Sequence, residues 1–250
     1  QDLVATARFV ARSNGVIAGR LCAAETFAQV DPTVVLEWSV TDGDIVSPGS
    51  VIAAVTGCLA SILTAERTAL NFLGHLSGIA TRTSEYVAEA AKGGSAYVWD
   101  TRKTTPGLRV LEKAAVRAGG GRNHRGNLSD WILLKDNHIA LFGIADAVAR
   151  SRSMWPARTV HVECDTIEQV HEALAAGADA LLLDNMTPDK IRECVVVASA
   201  SQHRPLLEAS GGITLETIAS YSAAGVDCIS VGGLTNSAPV LDIGLDIDPA

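Results

Sequence analysis

From Tyr97 onward the chain alternates short apolar runs with helical patterns, and this alternation restricts its fold more than any other feature. The runs are Tyr97–Trp99, Trp131–Leu134, Thr159–Val162, Ala180–Leu183, Leu206–Leu207 and Cys228–Val231. Between them, apolar residues recur with helical spacing over Leu108–Arg117, Ile144–Ser153, Ile167–Ala176, Pro188–Ala200 and Leu215–Ala224. Strands separated by helices predict a parallel sheet, because a crossover helix returns the chain to start the next strand in the same direction. Polar residues or glycines stand at the end of each run: Asp100-Thr-Arg-Lys, Lys135-Asp-Asn, Glu163, Asp184-Asn185, Glu208-Ala-Ser-Gly-Gly and Gly232-Gly233. That placement matches the active face of a β/α barrel. Six units are fewer than eight, so the residues predict either an incomplete barrel or an open doubly wound sheet.

Ahead of this array lies a different pattern. Val4–Val10 and Val16–Ala18 alternate like strands, Leu21–Val30 has helical spacing, and Val34–Val40 alternates again. A turn at Thr41-Asp-Gly-Asp and a Ser47-Pro-Gly-Ser segment lead into a strand at Val51–Val55. Leu59–Thr81 is helical and long enough for a membrane span. Ser61, Thr64, Glu66, Arg67, Asn71 and His75 interrupt it, so a deeply packed helix is expected and no membrane association. The helical pattern continues over Thr83–Lys92, and Gly93-Gly94 closes the segment. Leu241–Ile247 alternates and is expected to return as a strand to this first region. The expected organisation is an α/β chain: a small N-terminal α/β sandwich domain at 1–94, joined by 241–250, and a second α/β domain at 95–240.

Charge marks one stretch. Tyr97–His138 holds eight basic residues and four acids, so it carries +4 in a chain of net charge −8. A cationic island in an acidic protein focuses an anionic ligand. Lys103 and Lys135 stand just after two apolar runs, where strand ends hold side chains rigidly. Ser210-Gly211-Gly212 and Gly232-Gly233 follow the last two runs, where backbone amides can approach a phosphate without Cβ obstruction. Aromatic residues make up only 4% of the chain, which with the acidic balance argues against a nucleic-acid binder. Five scattered cysteines, never spaced Cys-x-x-Cys, predict reduced thiols and neither a disulfide frame nor a zinc site. No targeting or lipidation motif is visible, and a cytoplasmic location is expected.

The segments Asp100-Thr-Arg-Lys-Thr-Thr-Pro-Gly-Leu-Arg, Leu111-Glu-Lys-Ala-Ala-Val, Gly119-Gly-Gly-Arg-Asn-His-Arg and Leu134-Lys-Asp-Asn-His resemble the quinolinate phosphoribosyltransferase family. So do Glu66-Arg-Thr-Ala-Leu-Asn-Phe-Leu and Ser77-Gly-Ile-Ala-Thr. The resemblance implies an incomplete six-stranded β/α barrel after the N-terminal domain. It also implies phosphoribosyl transfer from phosphoribosyl pyrophosphate to quinolinate, with decarboxylation. Quinolinate has two adjacent carboxylates, and Arg102, Arg125 and Lys135 are the expected grip, with His124 as a hydrogen-bond donor. Arg67 is expected to come from the other subunit of a homodimer with shared sites. Lys103 is assigned to the phosphoribosyl pyrophosphate. Glu163 and Asp184 are assigned to Mg2+ or the developing sugar cation, with Glu208 a weaker candidate and a substrate contact. Lys103, Lys135, Glu163 and Asp184 form the expected catalytic set.

The chain departs from the family at His161, Cys164, Gly233 and Asn236, and it begins at Gln1 without the family's usual leading helical segment, which points to a shortened chain. The competing readings are a related transferase of a molybdenum-transport locus, or one acting on nicotinate. A non-catalytic phosphosugar-binding barrel is the alternative of another class.

Overall fold

The structure, a computed structural model, describes residues 3–247. Two compact units emerge from the contacts. One comprises residues through Ser84, Thr104–Gly121 and those from Gly233 onward; the other comprises Glu85–Lys103 and Arg122–Gly232. The division expected at residue 94 thus runs alongside a grouping that places 104–121 with the first unit.

In chain order the first region contains β1 (Val4–Ala11), β2 (Gly15–Val16), α1 (Arg20–Val30), β3 (Val35–Trp38), β4 (Ile45–Val46), β5 (Val51–Cys58) and α2 (Leu59–Gly93). The strand at Ile243–Ile247 returns here and pairs antiparallel with β1, as the alternation at Leu241–Ile247 predicts. The sheet order is therefore this last strand, β1, β5, β3, while β2 and β4 pair separately. Alternation along β1 turns Ala7, Phe9 and Ala11 inward, all fully buried, and leaves Arg8 exposed. Phe9 meets Phe27 of α1 edge to face, with ring centroids 6.0 Å apart. From α2, Ile62, Ala65, Ala69 and Leu73 recur three or four residues apart and bury one stripe in the same core.

One helix spans both patterns read at Leu59–Thr81 and Thr83–Lys92. Thr83 does not break it, because its hydroxyl donates to the Ile79 carbonyl at 2.8 Å, within the preceding turn. Gly78 has a packing reason: a Cβ there would stand 2.0 Å from the Pro239 carbonyl oxygen. The backbone before the last strand runs directly over the helix at that point, and Leu241 N donates to Gly74 O at 2.9 Å.

The chain continues through β6 (Tyr97–Trp99), α3 (Arg109–Ala118), β7 (Ile132–Leu134), α4 (Asp136–Phe142), α5 (Ile144–Met154), β8 (Val160–Cys164), α6 (Ile167–Ala175), β9 (Ala180–Asp184), α7 (Pro188–Ser199), β10 (Leu206–Ser210), α8 (Ile218–Ala223), β11 (Cys228–Ser230), α9 (Gly233–Asn236) and the returning strand β12. The second unit's sheet is parallel, in the order β6-β11-β10-β9-β8-β7. Every residue of β8 is buried, as expected of a strand covered on both faces. The end strands β6 and β7 do not pair, so the barrel is incomplete.

Local chemistry starts the barrel helices. The Thr166 hydroxyl accepts from Gln169 N and the Gln169 side chain reaches back, while Thr187 precedes Pro188 at the first turn of α7. The α3 segment, read as a barrel helix, groups with the first unit. Its fully buried Glu112 meets His75 of α2 at 2.9 Å. Among the described residues no helix is long and apolar enough to cross a membrane.

Candidate active site

Parallel strands end on the same side of a sheet, so whatever follows them converges there. A cavity of about 350 Å³ lies at this end of the second unit, and all six strands supply its wall. Thr101, Arg102 and Lys103 follow β6, while Lys135 follows β7. Glu163 of β8 and Asp184 of β9 face it, as do Glu208 and Ser210 of β10 and Ser230 of β11. Leu133 and Leu182 add apolar surface, and His124 and Arg125 enter from the loop before β7. Four fixed cations and three carboxylates thus share one small space.

The loop carrying His124 and Arg125 is pinned to β6. Arg122 forms a parallel bridge with Trp99, and its amide donates to Val98 O at 2.8 Å. Asp100, fully buried, accepts from His124 N at 2.8 Å and from Asn123 Nδ2 at 2.6 Å. A buried carboxylate held by such donors is stiff, so it fixes where the loop crosses the cavity. Asp100 and Thr101 were read only as polar residues at a strand end, and Ser230, within the last run, was given no role. Only the Asp at a strand end, directly ahead of the cationic run, could have signalled the first of them.

Arg125 is buried, and burial together with the charge of Arg102 beside it pulls its guanidinium below the usual arginine range. Glu208, Asp130 and Glu163 offset this in part. A desolvated cation with a like charge as neighbour favours an incoming anion. Lys135 donates to Glu163, so these two residues are bonded to each other. Burial raises the Glu163 carboxyl, the Lys135 contact lowers it, and nearby Asp184 raises it again, with a net upward shift. Asp184 accepts from Asn185 Nδ2 at 2.6 Å.

Glu208 is fully buried, and neither of its oxygens accepts a hydrogen bond. His124 Nε2 stands 3.4 Å from one of them. A buried carboxylate in that condition favours a ligand hydroxyl, a bridging water or a cation. His161 lies below the cavity on β8, and burial lowers its imidazole to about 4, so it is neutral at neutral pH.

The turns after β9 and β10 interlock. Asn185 has a positive φ of 53°, and a Cβ on Gly211 would stand 2.3 Å from its Oδ1. Gly211 and Gly212 both take positive φ, 95° and 59°, so the Ser210-Gly-Gly turn is one that only glycines adopt readily. Gly232 ends the second unit, and Gly233 opens the four-residue α9 in the first.

Arg67 lies on α2 in the first unit. It lines a cavity of about 390 Å³ there, with Asn71, His75 and Asp242. The structure therefore brings together Arg102, Lys103, His124, Arg125, Lys135, Glu163, Asp184, Glu208 and Ser210 in one wall, and Arg67 belongs to another. His138, on the other hand, is structural: its Nδ1 accepts from Lys135 N at 3.1 Å and starts α4. The five cysteines are free, and burial pushes Cys164 up to about 12, which keeps it an inert thiol.

A parallel β/α barrel with a cationic mouth on its strand ends defines a class, that of barrel proteins built to hold polyanionic ligands. Comparison with known proteins is more specific. Residues 1–77 match the family model of the quinolinate phosphoribosyl transferase N-terminal domain, and residues 79–246 that of its C-terminal domain. A probable nicotinate-nucleotide pyrophosphorylase [carboxylating] of Bacillus subtilis (strain 168) is 45% identical over 243 residues, covering 96% of this chain and 83% of that one. The nicotinate-nucleotide pyrophosphorylase [carboxylating] of Mycobacterium leprae (strain TN) is 43% identical over 248 residues, covering 98% and 87%. The solved nicotinate-nucleotide pyrophosphorylase from Francisella tularensis superposes with a TM-score of 0.95 at 37% identity, over 99% of this chain and 88% of that one. The chain belongs to the quinolinate phosphoribosyltransferase family.

Proposed function

We propose that the chain transfers phosphoribosyl from phosphoribosyl pyrophosphate to the ring nitrogen of quinolinate and releases carbon dioxide, giving nicotinate mononucleotide and pyrophosphate. The observation that carries this reading is the convergence of Arg102, Lys103, Arg125 and Lys135 on one cavity. A single carboxylate would not need this many cations, which favours quinolinate over nicotinate. A passive phosphosugar-binding barrel would not need them together.

The pyridine nitrogen attacks the ribose anomeric carbon as the bond to pyrophosphate breaks. Arg102, Arg125 and Lys135 hold the two acceptor carboxylates, with His124 donating a hydrogen bond, so the nitrogen faces the sugar. Lys103 neutralises the departing pyrophosphate, and the Ser210-Gly-Gly turn and Gly232-Gly233 offer amides to phosphate oxygens. Glu163, Asp184 and Glu208 provide negative charge beneath the oxocarbenium-like ribose. Alkylation makes the ring nitrogen cationic, so it stabilises the electron pair left on the adjacent ring carbon when the carbon–carbon bond to the 2-carboxylate breaks. A proton then replaces the lost carbon dioxide.

Magnesium fits this donor set as an ion bound largely by substrate. Among the described residues no group of three or more His, Cys, Asp or Glu is arranged to hold a metal. Glu163 and Asp184 nevertheless offer hard oxygens on adjacent strands of one cavity, and magnesium commonly takes only one or two carboxylates beside phosphates and water. When bound, the ion would neutralise pyrophosphate charge. Glu163→Gln with Asp184→Asn should raise the magnesium requirement, and an unchanged magnesium titration would remove both residues from that role.

We further propose a homodimer in which Arg67 completes the acceptor grip of the partner's barrel. Direct comparison of quinolinate and nicotinate as acceptors, with phosphoribosyl pyrophosphate and magnesium, tests the main reading. Nicotinate mononucleotide should form from quinolinate, and preference for nicotinate would overturn it.

A further inference from the structure

Four rings meet inside the second unit: Trp99 on β6, His124 in the following loop, Trp131 just ahead of β7, and His161 on β8. The Trp99 and Trp131 centroids are 6.2 Å apart, although their strands are the two unpaired ends of the sheet. The His124 ring packs edge-wise on both, 5.7 Å from Trp99 and 4.8 Å from Trp131. His161 stacks on Trp131 at 5.2 Å, with the ring planes 28° apart. Where a sheet end lacks a ladder partner, something must cover it, and here side-chain rings span the gap.

Ring packing, more than hydrogen bonding, orients the two indoles and His161. Trp99 Nε1, Trp131 Nε1 and His161 Nδ1 are buried without a hydrogen-bond partner. Ring contact is what remains to orient them. The backbone at His124 is fixed separately, through its amide on Asp100. Asp100 thus determines where the chain passes, while the imidazole, whose Nε2 stands 3.4 Å from Glu208, packs edge-wise against Trp131 and Trp99.

We propose that Trp131, buttressed by His161, is a positioning residue that holds the His124 ring toward the acceptor's carboxylate. The inference rests on the acceptor reading given above. It assigns roles to two residues outside the cavity wall, and it predicts a selective effect, since the proposed donor contacts are made by other groups.

Steady-state kinetics on His161→Ala and Trp131→Leu should show the quinolinate KM rising about ten-fold. In the same variants kcat should fall less than about three-fold, and the KM for phosphoribosyl pyrophosphate should stay within about two-fold. His161→Phe keeps a stacking ring without the nitrogens, and should return the quinolinate KM to within about three-fold of wild type. Equal rises for both substrates, or a Phe variant no better than Ala, would overturn the proposal. Should His161→Ala not fold, His161→Gln takes its place. If neither ringless variant folds, the cluster is a plug rather than a positioning device, and the proposal falls.

Failure of the functional reading looks different. Calorimetry would then show no quinolinate binding by the wild type itself. In that case crystal structures of wild type and His161→Ala still decide the seam: a shifted His124 ring supports it, and an unmoved one overturns it.

Discussion

Arg125 is drawn in two directions, by Arg102 beside it and by the carboxylates of Glu208, Asp130 and Glu163. An acceptor carboxylate would resolve that imbalance, which is why its removal should be felt in binding. Arg125→Ala should weaken quinolinate binding by about 2–5 kcal/mol, the usual loss on truncating one member of a desolvated charge pair. Lys135→Ala should do the same and also leave Glu163 buried without its cation. Calorimetric titration checks both variants, and near-normal affinity in both would remove them from the grip. At this scale the sequence was informative about residue type and position but not about pairing. Lys135 and Glu163 each stood at a strand end, yet that they bond to each other follows from the register of β7 beside β8, which no single-chain pattern displays. The role of Asp100 was hidden for a similar reason, since the partners it fixes include a backbone amide and an Asn 23 residues on.

β8 shows what an element adds. Its five residues are all buried, yet His161 and Glu163 lie among them. His161 titrates near 4 in the fold, against 6.5 without it, so the unfolded chain takes up that proton first as pH falls. The stability this group contributes is therefore complete above about pH 6.5 and is lost toward pH 4, at about 1.4 kcal/mol per unit. Glu163 acts in the opposite sense, because its raised carboxyl favours the native state as pH falls. His161→Phe should remove the first slope alone. Denaturant unfolding at pH 7 and pH 4 should then show the variant gaining about 3 kcal/mol on wild type across the interval, and parallel curves would contradict it.

Most barrel strands were legible as apolar runs because parallel strands are buried on both faces. α4 was not, since Asp136-Asn-His reads as polar loop until His138 is seen closing the turn on Lys135. The continuation of α2 through Thr83 was legible, and the Thr83 hydroxyl bonds back within the helix.

At the scale of the molecule, Arg67 is the residue that one chain leaves unexplained. It lines a cavity of the first unit, while the remaining acceptor cations line the barrel. In the proposed dimer, Arg67→Ala and Lys135→Ala homodimers are each inactive, and a mixed dimer gathers both lesions in one site and restores the other. Random exchange makes about half the dimers mixed, so joint refolding should recover roughly a quarter of wild-type activity. No recovery despite demonstrated exchange would place Arg67 outside its partner's site. That division between chains was implied by the family resemblance; neither composition nor periodicity contains it.

The account centres on a decarboxylating transfer, and one assay addresses it directly. The protein is incubated with magnesium and quinolinate labelled at the 2-carboxylate, with and without phosphoribosyl pyrophosphate, and labelled carbon dioxide is collected alongside pyrophosphate. Labelled carbon dioxide should appear only with the phosphoribosyl donor and in one-to-one proportion to pyrophosphate. Release without the donor, or pyrophosphate without labelled carbon dioxide, would contradict it.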